Sequence, residues 1–235
     1  MGRLADGRAV FVPYTLPGER VRVRLVEEKR GHARGELVEL LEAAPGRITP
    51  RCVHFGECGG CHYQHMAYEA QLAFKTAILR DQLERIGGLN DPPLRPAVGS
   101  PQAFNYRNHV QFHLSAEGRL GFQAARQNRV VPVSECHLPE AALNQVWPLL
   151  DLEPVPGVDW VGLRLGSEEE VMLVLEGSEP EALEFAVEEL DISAVQLGPG
   201  GALVLAGSEF LTMEVLGREF RVSAGSFFQV NTAMA

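Results

Sequence analysis

Three of the chain's four cysteines, Cys52, Cys58 and Cys61, fall within ten residues of one another in the stretch CVHFGECGGCHYQH, which ends at His65. The last two enclose Gly59-Gly60, a pair that turns the backbone tightly and belongs in neither a helix nor a strand interior. Buried, unligated thiols pack as small hydrophobes, but a turn buries thiols poorly and suits chelation. The fourth cysteine, Cys136, follows after seventy-four intervening residues. Four-cysteine zinc sites use paired knuckles, two ligands from each; here one knuckle is present and the other pair is split. His54, His62 and His65 add possible nitrogen ligands for zinc. Three close thiolates with a distant fourth is equally an iron–sulfur arrangement. In either case the glycine amides can approach the sulfurs and stabilise their charge. Spacing alone leaves zinc and iron–sulfur both open.

The 235 residues suffice for one large domain or two to three small ones, and 46% hydrophobic content fills ordinary cores. No apolar run approaches the roughly 18 residues of a membrane span, so no membrane partner is expected. The start MGRLADGRAVF lacks the basic-then-apolar pattern of a signal peptide. A cytoplasmic location with reduced thiols is the expectation. The net charge of −10 is unevenly spread. From Pro148 onward three arginines face sixteen acidic residues, whereas the first fifty-one residues carry ten Lys and Arg against seven Asp and Glu. The N-terminal half can face phosphates; the acidic segment from Glu168 to Asp191 reads as a solvated surface.

Periodicity gives a mainly β chain with an α+β central region. Residues 1–45 read as a small β-barrel, with strands at Ala9–Val12, Arg20–Val26 and Gly35–Leu41 and a turn at Leu16–Glu19. Arg20, Arg22 and Arg24 share one face of the second strand; they read either as a solvated face or as an RNA-facing row, since small barrels often bind single strands electrostatically. Between Tyr68 and Ile86, Leu72, Thr76, Leu79, Leu83 and Ile86 recur at helical spacing, and Gly87-Gly88 ends the element. Asn90–Pro93 is a turn or linker. Beyond residue 105 short strands dominate: Val110, Phe112 and Leu114 alternate with His109, Gln111 and His113, followed by Leu120–Phe122, Val130–Val133, Trp160–Leu165, Val171–Leu175, Val195–Leu197, Ala202–Leu205 and Phe210–Leu216. One helix is expected near Pro180–Leu190. Gly198-Pro199-Gly200-Gly201 reads as a hairpin turn and opens no helix.

In their surroundings the cysteines resemble a known family. Cys-Gly-Gly-Cys-x2-Gln-His, followed by a helix carrying Gln71 and Lys75, resembles the iron–sulfur motif of the RNA 5-methyluridine (uracil-C5) methyltransferases. The resemblance continues in Phe104–His109, in Leu120-Gly121-Phe122, and in Val131–Cys136, where the family's fourth cluster cysteine falls. Gly7–Val12 and Leu16–Val21 resemble the OB-like TRAM barrel that precedes the cluster in many members. Ser226–Asn231 resembles the Phe-x-Gln-Val-Asn motif that opens the family's doubly wound methyltransferase domain.

The resemblance implies a TRAM-like barrel over 1–46, trimmed at its start, a cluster-binding segment and helix over 47–93, and a β-rich α+β domain over 94–222. Residues 223–235 would begin a methyltransferase domain. It implies a 4Fe-4S cluster on Cys52, Cys58, Cys61 and Cys136, S-adenosylmethionine contacted by Gln229, and Arg107 as an RNA-contact candidate beside Arg20, Arg22 and Arg24. The implied partner is RNA, of the 23S ribosomal type for members with both barrel and cluster, and a monomer is expected. In the family's reaction a cysteine thiolate adds to C6 of uracil, C5 takes the methyl group, and a base removes the C5 proton. With all four cysteines assigned to the cluster, the nucleophile and base are expected downstream of Ala235, the doubly wound domain is expected to be absent, and the chain reads as the RNA-binding and cluster-bearing front portion of such an enzyme. A non-enzymatic RNA-binding module with a structural zinc or iron–sulfur site, and an electron carrier, are the rival readings.

Overall fold

The computed structural model describes residues 1–150, 152, 157–178 and 192–235. The helix expected at Pro180–Leu190 lies outside the described residues, as does part of the acidic segment. Two compact units form: Met1–Gly56 with Cys61–Gly99, and Glu57–Gly60 with Ser100–Ala235.

The first unit opens with a four-stranded sheet of β1 (Gly2–Arg3), β2 (Ala9–Phe11), β3 (Arg20–Glu28) and β4 (His32–Glu42), in the order β1-β2-β4-β3. β2 runs parallel to β4 and the other pairs are antiparallel. Alternation on β3 turns Val21, Val23 and Leu25 inward while the arginines stay exposed. Val10, Leu16 and Ala33 are buried.

The expected helix begins at its predicted residue. α1 spans Tyr68–Asp81 and continues into one π-helical turn, Gln82–Ile86, closed at Gly87 by an N–H donated to the Gln82 carbonyl at 3.0 Å. None of its residues is buried. Along the apolar stripe read from the sequence, Leu79 and Ile86 are 46% and 72% exposed while Leu72, Thr76 and Leu83 are half-buried, so it is covered only in part.

The second unit is built on a seven-stranded sheet: β5 (His109–Leu114), β6 (Leu120–Gln123), β7 (Val130–Pro132), β8 (Trp160–Leu165), β9 (Val171–Glu176), β10 (Ile192–Gly198) and β11 (Gly201–Ala206). The order is β11-β10-β9-β8-β5-β6-β7, and only β9 and β10 pair in parallel. One face buries Val110, Phe112, Val161, Leu163 and Leu173 with Leu143 of the short helix α2 (Ala141–Val146) and Trp147. The other face buries Met172, Val174 and Val195 with Leu211 and Ala224. Leu211 belongs to a hairpin of β12 (Phe210–Val215) and β13 (Arg218–Ser223). The Gly198–Gly201 segment is the expected hairpin turn: its end glycines pair across β10 and β11, and Gly201 takes φ +107°, a region L side chains disfavour. Among the described residues the fold is mainly β with few helices, and no helix is long and apolar enough to cross a membrane.

Candidate functional site

The cysteine loop of the first unit is held by amides and an ion pair. The Cys52 N–H donates to Gln64 Oε1 at 3.1 Å, and Gln64 is 7% exposed. Gln71, one helical turn into α1, donates to the carbonyls of Met66 and Tyr63 at 2.9 and 3.3 Å and so anchors the end of the loop. Glu19 and Arg47 join the barrel to this segment. Arg47 Nε pairs with Glu19 Oε1, and Arg47 Nη2 donates to Glu19 Oε2 at 2.8 Å and to the Tyr14 carbonyl at 2.7 Å. The Leu16 N–H adds a 2.8 Å bond to Glu19 Oε2. Burial pushes the Glu19 carboxyl up, but the Arg47 bonds and the Leu16 amide outweigh it and hold the group below its usual range.

His65 is 3% exposed, lies against Phe55 and Tyr14, and has no partner for either ring nitrogen. Burial and the nearby Arg47 charge lower its pKa, so the ring is neutral. It is packed as an aromatic.

In the second unit, Glu57–Gly60 is tied to residues 123–125. Cys58 bridges Ala124, the Gly59 N–H donates to the Gln123 carbonyl at 2.9 Å, and the Ala125 N–H donates to the Glu57 carbonyl at 2.9 Å. A side chain on Gly59 would place Cβ 2.7 Å from the Gln123 carbonyl oxygen, so the close approach requires glycine. The Gly60 N–H points at Cys58 Sγ at 3.4 Å, the amide-to-sulfur contact that the Gly-Gly pair led us to expect.

All four thiols are half-buried. Cys52 and Cys61 belong to the first unit, Cys58 and Cys136 to the second. Among the described residues no three His, Cys, Asp or Glu side chains are grouped to hold a metal ion.

The arginine row is exposed but not bare. Arg20, Arg22 and Arg24 pair across β3 and β4 with Glu42, Glu39 and Glu36 respectively. Arg107 is half-buried and its Nε is buried without a partner.

Gln229 is exposed, yet its backbone is pinned. Asn108, 3% exposed, donates from Nδ2 to the Gln229 carbonyl at 2.9 Å and to Thr232 Oγ1 at 2.8 Å, while its N–H donates to the Val230 carbonyl at 2.9 Å. Sequence reasoning quoted Asn108 within Phe104–His109 without giving it a role; a polar residue in that motif next to a strand start was the available signal. Nearby His109 is lowered from 6.5 to about 4 by burial, then by the charges of Arg164 and Arg107.

Residues 1–38 match the TRAM domain. A protein of Thermosynechococcus vestitus named an uncharacterized RNA methyltransferase is 33% identical over 100% of this chain and 59% of its own length. One of Aquifex aeolicus, with the same description, is 35% identical over 96% of this chain and 56% of its own length. The chain resembles RNA methyltransferases throughout. It spans a little under three-fifths of these relatives. The fold is also that of the Pyrococcus abyssi tRNA (uracil-54, C5)-methyltransferase solved with S-adenosyl-L-homocysteine, at TM-score 0.69 and 22% identity over 99% of this chain and 61% of that one. The resemblance to RNA methyltransferases carried by the motifs therefore stands, with a matching fold beneath it.

Proposed function

We propose that this chain is the RNA-binding and cluster-bearing portion of an S-adenosylmethionine-dependent RNA uracil-C5 methyltransferase acting on 23S ribosomal RNA. The observation that carries the proposal is the Asn108 clamp: it fixes Gln229 through the backbone and leaves the glutamine side chain exposed, as a residue reaching for a cofactor requires. S-adenosylmethionine supplies the methyl group; the attacking cysteine and the base lie outside these residues.

Cys52, Cys58, Cys61 and Cys136 would hold the 4Fe-4S cluster, with zinc as the alternative occupant. The half-buried thiols and the Gly60 N–H on Cys58 Sγ suit thiolate ligands stabilised by backbone amides, while among the described residues no three such side chains stand grouped around a metal position. The cluster needs no redox step here and would order the segment that meets RNA.

Arg107 is the best-placed of the four arginines to take a phosphate, because it has no ion pair among the described residues whereas Arg20, Arg22 and Arg24 are each paired with a glutamate. The β3 row can join it only by exchanging glutamate for phosphate; exposed ion pairs are weak enough for that exchange.

Anaerobically purified chain should contain iron and sulfide; stoichiometric zinc without iron would remove the cluster. With S-adenosylmethionine and ribosomal RNA the 235 residues alone should form no 5-methyluridine, and clear turnover would overturn the assignment of nucleophile and base to other residues.

A further inference from the structure

Buried ionised side chains are ordinarily paired, because a charge that loses its hydration needs an opposite charge or full hydrogen bonding in return. Arg164 on β8 departs from that rule. It is 6% exposed and pairs with no carboxylate among the described residues. Its one hydrogen bond among them runs from Nη1 to the Ser223 carbonyl at 3.3 Å, an oxygen that also accepts the Ser226 N–H at 3.0 Å. Nε and Nη2 have no partner there, yet both still reach solvent. Burial without a counter-charge lowers the pKa of the group.

A second guanidinium stands nearby. His109 on β5 is the cross-strand partner of Arg164, and the Leu165 N–H donates to the Asn108 carbonyl beside it at 2.7 Å. Arg107 lies two residues before His109, and the charges of both arginines act on that imidazole. Arg107 also has no ion pair among the described residues; its Nε is sealed from solvent, whereas its two Nη groups are not. Glu170, in the turn between β8 and β9, answers neither arginine. Its carboxylate accepts the N–H groups of Glu168 and Thr212 at 2.8 and 3.3 Å. Two like charges are therefore held around one neutral ring, an arrangement that an anion would relieve.

We infer that Arg164 and Arg107 together take one backbone phosphate of single-stranded RNA. The inference deepens the RNA-binding reading above and rests on it. A phosphodiester presents two non-bridging oxygens, and the forked N–H groups of a guanidinium match them as a pair. The donors left open on Arg164 are Nε and Nη2, the two that lie along one edge of the fork and point the same way. Nη1, held by the Ser223 carbonyl, fixes the plane of the group, so little side-chain freedom is lost on binding. Arg107 adds the second charge from the adjoining strand end. The Asn108 bonds to the Gln229 carbonyl and Thr232 hold the backbone between the two arginines in place. A protein carboxylate carries the same pair of oxygens, but the proposed RNA partner favours the phosphate.

The test is fluorescence anisotropy across a salt series, with the full 235-residue chain and a labelled uridine-tract RNA. Arg164→Met removes the charge, and the slope of log affinity against log salt should become shallower by about 0.7, the value for one phosphate contact on a single strand. Arg107→Ala should act alike. Because both would hold the same phosphate, the double variant should lose about as much slope as either single change. Arg164→Lys keeps the charge but not the fork, and should keep the slope while binding more weakly. Urea unfolding separates a structural role: a charge kept for a ligand leaves unligated Arg164→Met at least as stable as wild type. A destabilised Arg164→Met with the wild-type slope would make Arg164 a prop for Ser223 and overturn the site. RNA binding with slopes unmoved in every variant would overturn the site and leave RNA binding intact, and no RNA binding at low salt would overturn both. Poly-glutamate binding that is lost in Arg164→Met, with the RNA slope unmoved, would reassign the pair to a protein carboxylate.

Discussion

Replacing Arg47 by methionine removes the only charged partner, among the described residues, of a carboxylate that is nearly sealed from water. The Glu19 side chain is 1% exposed and that of Arg47 16%. After the substitution Glu19 keeps the Leu16 N–H, and the Tyr14 carbonyl loses its 2.7 Å donor. Removing one partner of a buried pair costs about 3–5 kcal/mol, a large share of the roughly 5–15 kcal/mol that stabilises a domain. The double variant Arg47→Met/Glu19→Leu removes both charges but strands the Leu16 N–H and the Tyr14 carbonyl, at about 1–3 kcal/mol for each orphaned group. It should regain only part of the loss, so the two single effects should not add. The pH dependence follows from the sign. Glu19 sits below its usual 4.5, so its contribution is present above that pH and is lost as pH falls through its folded value; in Arg47→Met that acid sensitivity should disappear. Urea unfolding at several pH values, with hydrogen exchange of peptides spanning residues 10–20 and 45–66 reporting on the first unit, measures both effects. An Arg47→Met variant within about 0.5 kcal/mol of wild type, the size of an ordinary surface change, would refute the reasoning.

Three further perturbations have defined outcomes. His109 is depressed from 6.5 to about 4, so the folded state resists protonation that the unfolded chain accepts; stability is full above 6.5 and falls by at most about 3 kcal/mol as pH drops toward 4. Urea melts followed by tryptophan fluorescence should show that His109→Gln flattens this window, and parallel pH profiles would contradict it. Gly59→Ala forces Cβ to 2.7 Å from the Gln123 carbonyl oxygen and should cost about 1–3 kcal/mol as an overpacked contact, seen as faster exchange of the Gly59 and Ala125 amides. Asn108→Ala strips the Gln229 carbonyl and Thr232 Oγ1 of their donor. It should lower stability by about 1–3 kcal/mol and speed proteolysis within residues 226–235; unchanged cleavage there would show that other contacts hold the segment.

Strands with one buried face were legible because their side chains alternate. Among these His109–Leu114 has the predicted bounds, since Val110 and Phe112 face a core; Trp160–Leu165 also has its predicted bounds although it is buried on both faces. β13 was not legible: in Arg218–Ser223 only Val222 is buried, and a strand that is mostly solvated reads like a loop. The helix at Tyr68 was legible from its 3.6-residue period, but periodicity could not tell that the stripe would be covered only in part. The arginine row was visible, its neutralisation was not. Glu36, Glu39 and Glu42 fall at every third residue and the arginines at every second, and the two rows meet because the β3–β4 register shifts between Arg20 and Val21 and between Arg22 and Val23. The thiols announced themselves by spacing, whereas Asn108 and Asn231 act through contacts that span up to 131 residues of sequence and carry no local signature.

The central claim is that this chain binds RNA, and equilibrium binding to a 23S ribosomal RNA fragment across a salt series tests it most directly. Measurable affinity is expected, with log affinity falling linearly with the logarithm of salt concentration and a slope that becomes shallower by about 0.7–0.9 for each phosphate contact removed, as in Arg107→Ala. Absence of binding at low salt, or binding indifferent to salt and to Arg107, would contradict it.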